Sequence, residues 1–208
     1  MSDIILASQS PQRKIILQTL GIKFLVKPAD IDEKAVVYST LRQRAANIAL
    51  AKAWWVQQKY PDDIIIAADT YSVCRRRILE KPQTKKEAIE MLQFLSGQNF
   101  VNHSGWAYLD KKNQLEKYGV AVSRVKFRDL SIKEIKNYVQ NNPVTTWSAA
   151  FCPAYHEGMS LIAKFSGSLT AFTHGLPLEI IAENLRKSEL GTILSGKWKG
   201  DCESRSKH

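Results

Sequence analysis

Residues 4–14 read IILASQSPQRK, and this stretch decides how the chain begins to fold. Residues 4–7 are apolar and predict a short buried strand. Ser10 offers a hydroxyl for a helix N-cap and Pro11 suits the first helical position, so we expect a helix to start at once. A buried strand that turns directly into a helix is typical of an α/β sheet.

The same stretch predicts a site for an anion. Arg13 and Lys14 fall in the first helical turn, where the helix dipole disfavours cations by roughly 0.3–1 kcal/mol each. A bound phosphate would make the position of the two cations favourable. It would be held by backbone N–H groups, by the Ser8 and Ser10 hydroxyls and by the two cations themselves. The alternative, more common among helices in general, is that both cations point into water. The preceding strand and the Ser-x-Ser-Pro order favour the phosphate site.

The rest of the chain alternates between strand and helix patterns. Strands are predicted at 23–26, 64–68, 100–109, 118–127 and 159–165, and helices at about 40–60, after the capping boxes at 84–87 and 131–134, and from 175 to about 185. The continuous apolar run 64–68 suits a central strand covered on both faces, ending at Asp69 and Thr70. The pattern predicts the α/β class with a mixed sheet.

Bulk composition is that of an ordinary globular protein. The chain has 208 residues, of which 44% are apolar and 24% charged, enough for one domain with two lobes. Three widely spaced cysteines, Cys74, Cys152 and Cys202, form no CxxC pair, so we expect neither a zinc site nor a disulfide framework. The N-terminus resembles no signal peptide and no apolar run could span a bilayer. We therefore expect a soluble, cytoplasmic protein with no membrane partner.

The chain carries a net charge of +10. Such an excess favours polyanionic partners, either nucleotides, nucleic acid or an anionic surface. The basic residues are nevertheless scattered, and only residues 75–77 form a tight run, which is more often solvated than bound to a ligand. Charge alone is therefore weak support for a nucleic-acid partner.

Asp69 is the first candidate for catalysis. It follows the buried run 64–68, at a place where α/β sheets present ligand groups. A carboxylate there could accept a proton from water or bind a metal ion. The alternative is an Asp that forms a turn and caps the next segment. Position along the chain leaves the two interpretations about equal.

Three further candidates are charged. Asp30, Asp32 and Glu33 form an acidic cluster of the oxygen ligands that suit Mg²⁺, although a solvated loop is the more common explanation. Lys52 lies on a helix face of small apolar residues, where its ammonium group could point into a cleft or reach out to solvent. Lys81 precedes a proline that fixes the local backbone, and it could contact a phosphate.

Taken together, these residues resemble the Maf family of nucleoside triphosphate pyrophosphatases, also called septum formation inhibitors. The resemblance covers residues 4 to about 186. It rests on seven segments in the family's order and spacing, namely residues 6–13, Asp32-Glu33, Lys52-Ala53, Ala68-Asp69-Thr70, Lys81-Pro82, Leu95-Ser96-Gly97 and Gly175-Leu176-Pro177-Leu178.

The resemblance implies a fold and a reaction. The fold is an elongated mixed sheet flanked by helices, with a deep central cleft between two lobes, as in Maf and ITPase-like proteins. Residues 1–188 would form this single domain. The polar stretch at the C-terminus has no helix or strand pattern, so residues 189–208 are predicted to form a flexible tail. The reaction cleaves a nucleoside triphosphate to the monophosphate and pyrophosphate, which clears unwanted nucleotides. The resemblance also implies a divalent metal, Mg²⁺ or Mn²⁺, and a homodimer. No stable nucleic-acid partner is expected, because the sequence has no recognised nucleic-acid motif.

The resemblance also implies roles for individual residues. Asp69 resembles the proton acceptor that activates water, Glu33 its acidic partner, and the two carboxylates would hold the metal. Lys52 would act with them in catalysis. The substrate-binding set comprises Ser8, Ser10, Gln12, Arg13, Lys14, Thr70, Lys81 and Ala154.

This chain departs from the family mainly where the base is recognised. The family usually has Arg or Trp at Gln12, and Gln or Glu at Ala154, whose methyl group cannot hydrogen-bond a base. Thr70 matches the branch that acts on dTTP and UTP, whereas the branch that acts on 7-methyl-GTP tends to carry Gln. Further departures are Glu80 for Gly, Ser148-Ala149 for Ala-Gly and Phe100 for His. Phosphate chemistry is therefore expected to be retained, with relaxed or different base selectivity.

The sequence leaves three hypotheses about function. The leading one is a pyrophosphatase acting on a pyrimidine (dTTP or UTP) or a modified nucleotide. The second, suggested by Gln12, Glu80 and Ala154, is a regulatory or division-related protein that binds a nucleotide in a degenerate pocket. The third is a nucleic-acid-binding protein, which rests on charge alone because no nucleic-acid motif is recognised.

Overall fold

The computed structural model describes residues 2–155 and 157–188; the tail predicted at 189–208 lies outside them. Strands lie at β1 Ile4–Leu6, β2 Leu25–Val26, β3 Ile64–Cys74, β4 Arg77–Leu79, β5 Asn99–Asp110, β6 Leu115–Phe127 and β7 Ile162–Ser166. Helices lie at α1 Pro11–Gln18, α2 Leu41–Gln57, α3 Lys85–Leu95, α4 Ile132–Asn141, α5 Leu169–His174 and α6 Leu178–Lys187. Strands and helices alternate as predicted, which confirms the α/β class.

The seven described strands form one mixed sheet in the order β2-β1-β3-β5-β6-β7. β1 pairs in parallel with β2 and β3, while the pairs from β3 through β5 and β6 to β7 are antiparallel. β4 pairs antiparallel with the far end of β3. This arrangement confirms the predicted mixed sheet and makes β3 its central strand.

β3 corrects the prediction that the strand ends at Asp69. The strand continues to Cys74, because its ladder with β5 runs from Ile64 to Val73 without a break. The predicted strand ended at its first polar residues, but β3 carries polar side chains in its middle because they face a cleft. Asp69 is therefore a mid-strand residue, and the alternative of a turn-forming Asp is wrong.

One edge of β3 has a gap that opens the cleft. β1 pairs with residues 64–66 and β4 with residues 72–74, while β5 occupies the opposite edge throughout. Residues 67–71 therefore have no strand neighbour on the first edge among the described residues. Asp69 and Thr70 lie in this gap, so the backbone topology itself exposes them to a ligand.

The helix starts follow the predicted capping chemistry. Ser10 caps α1 with Pro11 at the first position, and Ser131 caps α4 in a complete capping box with Glu134. The box predicted at 84–87 is only half formed. Thr84 accepts from the Glu87 N–H, but the Glu87 carboxylate accepts from the backbone of Gln83 instead.

Other boundaries differ locally from the predictions. The strand predicted at 159–165 is shorter, because a 3-10 turn at Gly158–Leu161 precedes β7. β4 follows a tight turn in which Arg75 and Arg76 both have positive φ, so the basic run forms a hairpin. α5 was not predicted; Ser168 caps it and Gly175 ends it with φ of 69°.

Three buried clusters build two lobes. In the first lobe, α1 and α6 cover one face of β1 and β3, while α2 covers the other. In the second lobe, α3 and α4 pack with the far ends of β5 and β6 around Phe100, Phe127 and Phe151. The cleft separates these hydrophobic cores, which confirms the two-lobed architecture.

Within residues 2–155 and 157–188, no helix combines the length and the apolar character needed to cross a bilayer. Cys74 and Cys152 are buried free thiols. Both therefore act as small apolar core residues.

Candidate active site

A large cleft lies beside the gap in the edge of β3 and has a volume of about 1110 Å³. Its first-lobe walls come from the segment between β1 and α1, from α2 and from β3. Its second-lobe wall comes from residues 143–155. This volume is slightly above the roughly 300–1,000 Å³ typical of small-ligand sites, so the cleft is large enough for a nucleotide.

An ion-pair triad lies on the floor of the cleft. The Lys52 ammonium lies 3.0 Å from Asp69 Oδ1 and 2.6 Å from Glu33 Oε1. The side chains of Lys52 and Asp69 are only 13% and 12% exposed, whereas that of Glu33 is 45% exposed. Lys52 thus points into the cleft rather than to solvent, and it holds Asp69 in a fixed orientation.

Arg13 also turns into the cleft, although its backbone lies in the first turn of α1. Its guanidinium donates to the Ser8 hydroxyl at 3.0 Å, to the Thr70 hydroxyl at 3.2 Å and to the Gly175 carbonyl at 3.1 Å. Burial lowers the pKa of Arg13, whereas the nearby carboxylates of Asp69 and Glu33 raise it. All its acceptors are neutral, so its positive charge is available to an anion.

The other predicted substrate-binding residues separate into two groups. Those on the cleft wall are Ser8, Ser10, Gln12, Thr70 and Lys81. Lys14 is exposed and does not line the cleft, because it follows Arg13 by 100° around α1. Ala154 does not line it either; its side chain packs against the second-lobe core. The structure thus brings Arg13 to the site but not its neighbour.

Gln12 is held by its neighbours. Its side-chain oxygen lies 3.0 Å from the Ser10 hydroxyl. Burial raises the pKa of the Cys152 thiol, and hydrogen bonds, including one to Gln12, act in the opposite direction. Gln12 therefore lies near Cys152 of the second-lobe wall.

Sequence reasoning missed Arg44 and Tyr71. Tyr71 shares a face of β3 with Asp69, and its hydroxyl donates to the Leu41 carbonyl. The Arg44 guanidinium lies 4.8 Å from the centre of that ring and 3.3 Å from Glu80 Oε1. Burial raises the pKa of Tyr71 to about 12, while Arg44 lowers it. The sequence did hold a signal for Tyr71, because a residue two positions after Asp69 in a strand lies on the same face of the sheet.

The second lobe supplies an aromatic wall. Trp147, Phe151 and Tyr155 all line the cleft, and the rings of Trp147 and Tyr155 are stacked with centroids 6.5 Å apart. Flat aromatic surfaces of this kind suit a nucleobase, since every base has a π-face. Sequence reasoning did not predict this wall, because loop residues 143–155 carry no periodic pattern.

Among the described residues, no group of three His, Cys, Asp or Glu side chains is placed to hold a metal. Glu33 and Asp69 nevertheless approach one another through the shared ammonium of Lys52. Mg²⁺ is commonly bound by one or two carboxylates together with substrate phosphates. The two carboxylates are ligands of this kind, and in this structure the Lys52 ammonium lies between them.

The fold and the cleft define an α/β protein with cations and paired carboxylates at the base of a nucleotide-sized site. The sequence profile of the Maf family, described as Maf-like protein, matches residues 3–188. The chain belongs to this family.

Curated relatives align over nearly their whole length. A dTTP/UTP pyrophosphatase of Bacillus anthracis is 37% identical, with 90% of this chain and 96% of the relative aligned. A dTTP/UTP pyrophosphatase of Moorella thermoacetica is 34% identical, covering 89% and 94%. A 7-methyl-GTP pyrophosphatase of Hydrogenovibrio crunogenus is 30% identical, covering 90% and 93%.

Proposed function

We propose that this protein hydrolyses a nucleoside triphosphate between the α- and β-phosphates, releasing the monophosphate and pyrophosphate. The observation that carries the proposal is the placement of Asp69, a buried carboxylate oriented by Lys52 in a cleft that Arg13 also lines. The pyrophosphatase names of relatives at 30–37% identity support the same reaction.

In this reaction Asp69 accepts a proton from the attacking water. The water oxygen bonds to the α-phosphorus, and the bond from that phosphorus to the oxygen shared with the β-phosphate breaks. Pyrophosphate leaves with the electron pair of that bond. Lys52 orients the Asp69 carboxylate, and together with Arg13 it stabilises the negative charge on the phosphoryl oxygens in the transition state.

We propose Glu33 and Asp69 as the residues that would hold a divalent cation, Mg²⁺ or Mn²⁺. When bound, the ion would neutralise charge on the phosphate oxygens. The oxygen chemistry of the two carboxylates supports this assignment. Ser8, Ser10 and Lys81, all on the cleft wall, are proposed to contact the phosphate chain.

We infer a pyrimidine base, as in dTTP or UTP, or a modified base. The dTTP/UTP relatives support a pyrimidine, and Thr70 at the cleft is consistent with that branch. Gln12, together with the aromatic wall of residues 147–155, is the group best placed to contact the base. Ala154 is proposed to have no direct contact, since its methyl group packs into the core.

We further propose that the protein acts in the cytoplasm as a homodimer that clears nucleotides from the pool. The free thiols of Cys74 and Cys152 support a reducing compartment. The dimer is carried only by family resemblance, and the molar mass in solution by light scattering would test it.

The reaction is tested with a panel of nucleotides that includes dTTP, UTP, CTP and 7-methyl-GTP, with Mg²⁺ or Mn²⁺. We expect equal amounts of monophosphate and pyrophosphate from at least one of them. Asp69→Asn should lower kcat by about 10²–10⁴-fold, because it removes the proton acceptor. Asp62→Asn, the same change on an exposed turn, should leave kcat unchanged.

Two results would contradict the proposal. One is the absence of pyrophosphate release from every nucleotide by a folded protein. The other is release of a nucleoside diphosphate and inorganic phosphate, which would place the cleavage between the β- and γ-phosphates. Tight nucleotide binding without turnover would instead support the regulatory protein with a degenerate pocket.

A further inference from the structure

Arg44 is a partly buried cation on the cleft wall that the reaction described above does not use. Its side chain is 13% exposed, yet it lines the cleft. A guanidinium carries five N–H donors. Within the described part of the chain, its one hydrogen bond is to Glu80 Oε1, at 3.3 Å. Most of its donors are therefore free to bind a ligand in the cleft.

The position of Arg44 is fixed by β3. Its guanidinium rests on the ring of Tyr71, whose hydroxyl is anchored to the Leu41 carbonyl. Tyr71 and Asp69 are two residues apart on one face of the strand, a separation of about 7 Å. Arg44 is therefore held one step along the cleft from Asp69, within reach of a phosphate chain whose α-phosphorus faces Asp69.

The partner of Arg44 is held only weakly. The Glu80 side chain is 69% exposed, and exposed ion pairs contribute only about 0–1 kcal/mol. A phosphate accepts two parallel hydrogen bonds from a guanidinium and carries more charge than a carboxylate. A bound polyphosphate would therefore displace Glu80 from Arg44 at little cost.

We propose that Arg44 is a further substrate-binding residue, which exchanges the Glu80 carboxylate for an oxygen of the nucleotide's phosphate chain. The inference rests on the proposed function for the identity of the ligand. Glu80 competes with the substrate for Arg44 and so sets how tightly the cleft binds triphosphate. Glu80, which departs from the family's usual Gly, thereby has a defined partner.

The test is a double-mutant cycle measured by equilibrium titration with dTTP and UTP. Arg44→Gln should weaken binding about tenfold or more, because it removes a charge-assisted hydrogen bond. Glu80→Gln should tighten binding by up to about fivefold, because Arg44 loses its competitor. In the Arg44→Gln background, Glu80→Gln should change the affinity by less than about twofold, because no guanidinium remains to be released.

Two further variants distinguish a direct contact between Arg44 and the phosphate chain from a general effect of charge or a folding defect. Arg42→Gln removes the same charge from an exposed position on the same helix turn, and it should leave the affinity unchanged. Arg44→Lys keeps the charge and loses only the forked geometry, so an intermediate loss is expected even if Arg44→Gln folds poorly.

Two results would overturn the inference. One is wild-type affinity in a folded Arg44→Gln or Arg44→Lys protein, which would make Arg44 a purely structural link between α2 and Glu80. The other is an equal effect of Glu80→Gln with and without Arg44. Because titration measures binding, a wild type that binds dTTP or UTP but releases no pyrophosphate would contradict the proposed function and still decide this inference. Failure to bind any triphosphate would contradict both.

Discussion

Ala149 has φ of 59°, in a backbone region that L-residues avoid at a cost of roughly 1–2 kcal/mol. Its N–H donates to the carbonyl of Glu80, the residue after β4, so the strained conformation attaches the second-lobe wall to the end of that strand. Glycine adopts this conformation freely but loses about 0.5–1 kcal/mol in chain entropy. The Ala149 methyl group is fully buried in the second-lobe core, and its loss costs about 0.8 kcal/mol. Because these contributions nearly cancel, Ala149→Gly should leave the free energy of unfolding within about 0.5 kcal/mol of the wild-type value, measured by urea denaturation.

The same exchange within a helix provides the control. Ala51 lies in the interior of α2, where glycine costs about 1 kcal/mol relative to alanine. Ala51→Gly should therefore lower the free energy of unfolding by about 1 kcal/mol. A loss in Ala149→Gly as large as that in Ala51→Gly would mean that the positive φ of Ala149 stores no strain.

Sequence reasoning identified Lys52, Glu33, Asp69 and Arg13 as candidates, and the structure brings all four to the cleft. It did so because motif order and spacing specify which backbone positions meet. It did not tell that Lys14 points away, because side-chain direction depends on the rotation of α1 against the sheet. Arg44 was not predicted either, because the sequence does not show which face of α2 is turned towards the cleft.

At the scale of elements, the backbone of α2 packs directly against β5 at Gly105. A Cβ atom on Gly105 of β5 would lie 1.9 Å from the Ala45 carbonyl oxygen. Backbone cannot yield as a side chain can, so Gly105→Ala must push α2 outward. We expect a loss of about 1–3 kcal/mol in the free energy of unfolding, with a rise in KM because Lys52 and Arg44 move with the helix.

Gly119 on β6 is the matched control, since its added Cβ would meet only the Trp106 ring, at 3.3 Å. Gly119→Ala should change the free energy of unfolding by less than about 1 kcal/mol and leave KM unchanged. Equal effects of the two substitutions on KM would show that α2 does not depend on its contact with Gly105.

Most elements were predictable because their signals are local. The hydroxyl caps at Ser10 and Ser131 and the apolar run at 64–68 depend only on nearby residues. The length of β3 was not predictable, because its second half is stabilised by pairing with β4 and β5 while its side chains face a cleft. Long-range pairing thus overrode the local pattern at the position of the catalytic candidate.

At the scale of the whole molecule, the cleft divides two hydrophobic cores that share only the long central strands. The first lobe contributes the charged floor, with Arg13, Lys52 and Asp69, and the second contributes the aromatic wall. A nucleotide that contacts both would bind only when the lobes are correctly placed. Binding should therefore stabilise the folded molecule as a whole.

This coupling is measurable as a shift in the midpoint of thermal unfolding. In the Asp69→Asn background, where turnover is prevented, dTTP or UTP at about one hundred times its Kd should contribute about 2.7 kcal/mol and raise the midpoint by about 5–10 °C. Adding Arg13→Gln should abolish most of the shift, because it removes a cleft cation, whereas Lys14→Gln should retain it, because Lys14 lies outside. Each shift is taken relative to the same variant without nucleotide, which cancels effects on folding. Equal loss in the two variants would mean that both first-turn cations bind the phosphate, as the sequence alone predicts.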